Sequence, residues 1–476
     1  MRKVLPPYQL IGFLLIAILI ATSSTYLNIM IPIAIVAIVI TIFIVVAIFK
    51  NPEFGFYFMI AFGFLLAFVD RLVRSRIPLY SIIFMIPFIL FLAVILKRDI
   101  HSTSLRFGKD PIIFGYIITF VYTLVQAFNP QMDSFLGWIS YFRQAVCLGL
   151  ILFISLYLFK DLKHIRYFFK FILAAILITA MYGCIQQWFG FTPFERRWVY
   201  QTPGVMALYS LPGGGIRKFS FLTDPANYGT LMASGGLAFV VLSFGPFSRK
   251  KRIILRLCSL LIFLSMSYSG TRTANIMVAS GLAIYIMMTL NQKKSRILAG
   301  IAVAFYLFIM YSPIYSNVTI NRLRSAFNSP QHDASYDVRI INRERIRPYI
   351  HQHPFGGGVN TTGQGGLQYN PHHYLAGFPP DSSLFSTTLE IGWVGLLIQL
   401  SFLFLVLVSS VHYFYRCTNP EIKAYFAAIT IIIFTLGLIG AYAQFTLTSM
   451  PQIFIFIPLL ACIIKLRKLD QILITA

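Results

Sequence analysis

Residues 253–290 read IILRLCSLLIFLSMSY (253–268), SGTRTAN (269–275) and IMVASGLAIYIMMTL (276–290). Two apolar runs, each long enough to lie in a bilayer, are joined by a link of a few residues, and the link carries Arg272. A tight turn needs no charge. The reason for one depends on which side of a membrane the turn faces and on what else faces that side.

Working outward, apolar runs of about 18 residues or more recur from end to end, the signature of membrane-spanning helices. They fall at roughly 8–22, 29–49, 54–69, 78–96, 111–127, 142–159, 166–187, 228–244, 253–268, 274–290, 297–312, 386–411, 424–441 and 450–464, about 14 spans in all. Composition agrees. Of the 476 residues 58% are apolar and 11% charged, where soluble domains carry roughly 25% charge; the mean hydropathy is +0.76. The fold class read from this is an all-α polytopic membrane protein. The net charge of +24 would suggest nucleic acid in a soluble chain. Here it belongs to loop lysines that hold the chain on the cytoplasmic side, and no basic, aromatic-rich surface points to nucleic acid. Cys147, Cys184, Cys258, Cys417 and Cys462 lie in or beside apolar runs without CxxC spacing, so neither a disulfide framework nor a zinc site is expected. MRKVLPPYQL lacks a small-residue cleavage site and reads as the start of a retained first helix.

Orientation follows from the lysines. With Met1 in the cytoplasm, alternate loops carry Lys50; Lys97, Arg98, Arg106 and Lys109; Lys160, Lys163 and Arg166; Arg249 to Arg252; Lys293, Lys294 and Arg296; Arg416 and Lys423; and finally Lys465, Arg467 and Lys468. This places both termini in the cytoplasm. The loop with Arg71, Arg74 and Arg76 falls outside and dissents. The chain then divides into N-terminal helices (1–188), a first outer loop (189–227), central helices with the Arg272 turn (228–312), a large outer loop (313–385) and C-terminal helices (386–476). Connections of that length are commonly functional. Apart from Lys218, their cations are arginines: Arg196, Arg197, Arg217, Arg322, Arg324, Arg339, Arg343, Arg345 and Arg347. Arginines placed against the positive-inside bias need another reason. Snorkelling to headgroups is one; bidentate binding of phosphate oxygens is the other.

Four outer segments carry the chemistry. Gly213 to Gly229 reads GGGIRKFSFLTDPANYG, with glycines and Arg217 ahead of a turn that opens a helix. SGTRT carries Arg272. Arg339 to Arg347 runs into His353-Pro354-Phe355-Gly356-Gly357-Gly358, which reads as a tight turn because it follows no strand and lacks a Walker lysine. Asp381 opens DSSLFSTTLEIGWVGL, in which Glu390 is expected to face a helix dipole.

These segments, in this order, resemble the bacterial O-antigen ligase and O-antigen polymerase family over about residues 215–396. The Arg217 segment is similar to the family's Arg…Phe…Pro-x-Asn element, SGTRT to its Ser/Arg turn, HPFGGG to its Pro-x-x-Gly-x-Gly turn, and DSSL…LEIGWVGL to its His-Asn-x-x-Leu…Glu-x-Gly-x-x-Gly-Leu element. The resemblance implies a GT-C-like glycosyltransferase of the bacterial inner membrane, without metal or cofactor, active on the periplasmic side. Its donor would be an undecaprenyl-diphosphate-linked glycan and its acceptor a glycan or lipid A-core. Arg217 and Arg272, with Arg143 and Arg339 as outer members, would bind the diphosphate, opposing charge that grows as the glycosidic bond breaks. Where family ligases carry an activating histidine this chain has Asp381, so the base is Asp381, His372 or His373, and the departure tilts the reading toward a repeat-unit polymerase. A transporter or lipid-linked glycan flippase is the competing class, disfavoured by the scarcity of acids within the spans and by unequal halves. A structural scaffold would leave the outer arginines unexplained.

Overall fold

The computed structural model describes residues 30–73, 79–97, 110–211, 214–314, 318–327 and 334–475. The expected span at 8–22 lies outside these residues, as do Arg74, Arg76, Arg98, Arg106, Lys109 and Gly213. Among the described residues the chain is helical throughout, and pairing of extended backbone is confined to two isolated bridges, Ser210 with Ile216 and Gly363 with Ala376.

Each of the other expected spans coincides with helix, and nine helices among the described residues are long and apolar enough to cross a membrane. Local chemistry sets their ends. Asp110, Asp161, Asp224 and Asn419 each cap a helix through a side-chain oxygen, and proline follows at once in three of the four. Pro87 deprives the 79–96 run of a backbone donor, and the helix breaks into Leu79–Ile83 and Ile86–Leu96. The two long connections are themselves folded, with helices Pro193–Gln201 and Val205–Tyr209 in the first and Val318–Phe327, Ala334–Gln352 and Gly363–Tyr369 in the second.

Helix Pro225–Ser243 runs through the middle of the bundle, with 89% of its most apolar window buried. Lipid tails are as apolar as leucine, so close packing rather than water exclusion draws such helices together. This helix is built for it, with small residues at Gly229, Ala233, Ser234, Gly235, Gly236 and Ala238. At Gly229 the approach is closest: a β-carbon there would stand 2.5 Å from Ser269 Oγ and 2.8 Å from Thr271 Cβ.

The lysine-bearing loops join one another at one end of the bundle. Arg166 forms a two-pronged pair with Glu421 at 2.6 and 2.5 Å, Arg467 reaches Asp110 at 2.6 Å, and Asp470 accepts the amide of Asn419. The dissenting Arg71 belongs to the other end. It donates to the carbonyls of Leu222 (2.6 Å) and Ser220 (3.1 Å) and lies over the rings of Phe219 and Trp198. It violates the lysine pattern because it pins the first long connection, a packing role that charge counting does not see.

Candidate active site

The DPAN turn starts the central helix. Asp224 accepts the Asn227 amide at 2.8 Å, Thr223 donates to Asp224, and Asn227 Nδ2 donates to Thr223 Oγ1 at 2.7 Å. SGTRT lies directly against this start. Gly270 takes a left-handed φ of 58°, and Thr271 donates its hydroxyl to the carbonyl of Pro225 at 2.9 Å.

Arginines from three parts of the chain meet at this turn. Arg217 donates through Nε to the Ser269 carbonyl (2.8 Å) and through a terminal nitrogen to Thr271 Oγ1 (2.9 Å). Arg322 donates through Nε to the Gly270 carbonyl at 3.1 Å. Arg272 opens the next helix, Arg272–Met288. Burial, then the charges of Arg322 and Arg272, lower Arg217 to about 10, with Asp224 and Tyr209 opposing. The cations therefore feel one another. Arg217 also braces the backbone that carries Arg272, so it is an anchor as well as a charge. Arg324 serves another purpose: it donates to the carbonyls of Ile309 and Ile314 and closes the end of helix Lys293–Tyr311.

The fourth segment joins the first through residues 444–452. Asn227 Nδ2 reaches the Met450 carbonyl at 3.3 Å, and Gln452 Nε2 donates to the Asn227 carbonyl at 2.9 Å. From the same connection, the Gln444 carbonyl accepts the Ser383 amide at 3.1 Å, and the Leu447 amide donates to Ser383 Oγ at 3.3 Å. Asp381 stands immediately before the capping Ser382, and its Oδ2 is buried without a hydrogen-bond partner among the described residues.

The histidines are placed differently. His372 is exposed. His373 accepts the Leu375 amide through Nδ1 at 3.1 Å, which leaves its proton on Nε2 in the neutral ring. Burial lowers its pKa, and His353 lowers it further while Asp133 opposes. Its basic nitrogen is thus occupied by its own loop.

HPFGGG clasps a kink. Gly392 interrupts helix Ser383–Arg416 at φ 73°, and a β-carbon there would come within 2.0 Å of the Pro354 carbonyl. The Gly357 and Gly358 amides donate to Leu389 and Glu390 carbonyls at 2.9 and 2.8 Å. The third and fourth segments are therefore one backbone-to-backbone unit. Glu390 sits at this kink, and its carboxylate accepts the Thr362 hydroxyl, a bond that ties down the loop.

No hydrogen bond joins Arg143 or Arg339 to the SGTRT turn among the described residues. Helix Phe135–Leu158 begins seven residues before the expected boundary at 142, so Arg143 lies two turns inside it, on a helix whose start is held by Asn360 and Asn370. Its Nε is buried and unpartnered among the described residues. Arg339 is half-buried on helix Ala334–Gln352, one turn before Arg343. Arg343, not Arg339, is the arginine seen beside the Asp381 helix start: it lies over Phe385 and Tyr442 at 5.6 and 5.4 Å and donates to Tyr442 at 3.4 Å. Arg322 and Arg343 were both visible as outer arginines. Nothing in their local sequence sets them above Arg345 or Arg347, because their partners lie 52 and 99 residues away.

Comparison with known proteins bears on these same residues. Residues 257–400 match the family model described as O-Antigen ligase. Over 228 residues the chain is 25% identical to a curated O-antigen polymerase of Salmonella muenchen, a match that covers 45% of this chain and 53% of that protein. These matches support the O-antigen ligase and polymerase family. The chain spans about half the length of the curated relative it matches. The O-antigen ligase match begins ahead of SGTRT and ends beyond Gly395, so it contains the second, third and fourth segments; Arg217 and DPAN precede it.

Proposed function

We propose that this chain is a membrane glycosyltransferase of surface polysaccharide assembly that moves a glycan from undecaprenyl diphosphate to an acceptor hydroxyl on the periplasmic side. The observation that carries this reading is the meeting of Arg217, Arg272 and Arg322 at the SGTRT turn, against the start of a buried helix. The acceptor oxygen attacks the anomeric carbon and gives its proton to Asp381, while the bond to the diphosphate oxygen breaks. The departing diphosphate gains negative charge, and fixed guanidinium groups stabilise that charge as it develops. Arg272 is the group we place on the diphosphate, with Arg217 and Arg322 holding the turn and adding positive potential. Asp381 is favoured as base because its buried oxygen is unpartnered among the described residues, whereas the accepting nitrogen of His373 is engaged.

Within this chemistry we favour repeat-unit polymerisation, supported by Asp381 at the position where ligases carry histidine and by the polymerase relative. Ligation to lipid A-core or protein is the second reading, favoured by the description of the family match. The glycan of a deletion strain separates them. Single-repeat glycans on lipid A-core are the expected result; long lipid-linked chains that never reach their acceptor would establish ligation instead.

A further inference from the structure

At the lysine-bearing end, away from the proposed chemistry, the bundle holds a cavity of about 420 Å³. Phe244, Tyr285 and Phe414 are among its lining side chains, with Thr289 and Gln292 beside them, and its cations are Arg252, Lys294 and Lys423. Among the described residues no carboxylate lines it.

The cations are set where a helix least tolerates them. Arg252, Lys294 and Lys423 each lie within four residues of the start of a helix, respectively Arg249–Ser267, Lys293–Tyr311 and Pro420–Ile432. Helix starts carry partial positive charge and favour acids. The first turns of the first two helices contain no acid. The third contains Glu421, which is committed to Arg166. Three helix starts and three cations thus meet at one cavity whose lining holds no carboxylate among the described residues; Asp470, which accepts the Asn419 amide, and Glu421 stand at the third helix start. Arg252 Nε is in addition buried without a partner among the described residues. Lys423 rests over the ring of Phe414 at 5.0 Å, which holds its charge at the cavity wall.

We propose that this cavity binds the phosphate-bearing headgroup of an anionic phospholipid, with the first acyl carbons against its aromatic side chains. Aromatic side chains lining the same cavity as three cations fit an amphiphile rather than a free ion, and basic pockets between transmembrane helices suit such headgroups. The site differs from general attraction of surface lysines to a membrane, because it uses three particular side chains and a defined volume.

The test is native mass spectrometry of the full chain released from phosphatidylcholine nanodiscs with and without phosphatidylglycerol. Phosphatidylglycerol should be retained in preference to phosphatidylcholine. Retention should fall on the order of tenfold in R252Q/K423Q and stay unchanged in K250Q/K251Q, which removes equal charge beside the cavity. Equal loss in both variants, or none in the first, overturns the proposal. So does inorganic phosphate that raises the Tm in pure phosphatidylcholine as much as phosphatidylglycerol does. Should R252Q/K423Q fail to insert, the wild-type chain decides: no preference between the two lipids overturns it.

Discussion

Arg217 and Arg272 divide one task. Arg217 spends two nitrogens on the backbone and hydroxyl of the SGTRT turn, and Arg272 opens the helix that the turn releases. Substituting Arg272 with Ala should lower the transfer rate about 10²- to 10³-fold, the usual cost of losing one donor to developing charge, with insertion intact. Arg272→Lys should rescue poorly, because an ammonium lacks the planar fork. Single-turnover transfer measured on the purified variants checks both; full activity in both would leave Arg272 as a packing residue. His373 gives a pH prediction of definite sign. Its folded pKa is lowered, chiefly by burial, so the folded state disfavours the imidazolium. The stability it contributes is present above its unfolded pKa near 6.5 and is lost as pH falls below that value. His373→Asn keeps an acceptor for the Leu375 amide and cannot titrate. It should flatten the acid side of the pH–stability profile, read as Tm against pH. Asp381→Asn should abolish transfer; retained transfer would move the base elsewhere.

Among the helices, the decisive contacts are those in which backbone meets backbone. The kink at Gly392 places the carbonyl of Pro354 where a β-carbon would have to go. Gly392→Ala should therefore cost more than the roughly 1–2 kcal/mol of a left-handed residue alone, seen as a lowered Tm and as protease sensitivity in the 353–363 segment. Gly229→Ala meets Ser269 and Thr271 instead. A methyl group forced into that contact should cost about 1–3 kcal/mol and shift the Arg272 turn, so activity should fall further than stability. SGTRT, DPAN and HPFGGG were legible as turns, from their glycines and prolines, whereas LEIGWVGL reads as the start of a span. That HPFGGG closes on LEIGWVGL was not, since hydrogen bonds between residues 30 or more apart leave no local spacing to read.

For the whole molecule, hydrophobicity and lysine placement were enough to anticipate helices at the described spans and to separate two kinds of loop. Arg71 broke the pattern for a reason invisible to it, a buried contact with carbonyls about 150 residues away. The candidate site was legible in part for the same reason. SGTRT and Arg217 stood out by motif, whereas Arg322 and Arg343 owe their places to folding of the long connection, and no hydrogen bond ties Arg143 or Arg339 to the turn among the described residues. The two ends now carry separable expectations, lipid binding at one and glycosyl transfer at the other, so R252Q/K423Q should lose retained phosphatidylglycerol without losing the arrangement at SGTRT.

Glycosidic-bond formation at the arginine-bearing end is open to direct measurement. The most direct test reconstitutes the full chain in proteoliposomes with labelled undecaprenyl-diphosphate-linked oligosaccharide, and follows glycan length and release of undecaprenyl diphosphate. Longer or transferred glycan with matching release is expected, both falling about 10²- to 10³-fold in Arg272→Ala. Movement of the labelled lipid across the bilayer with no new glycosidic bond would contradict it.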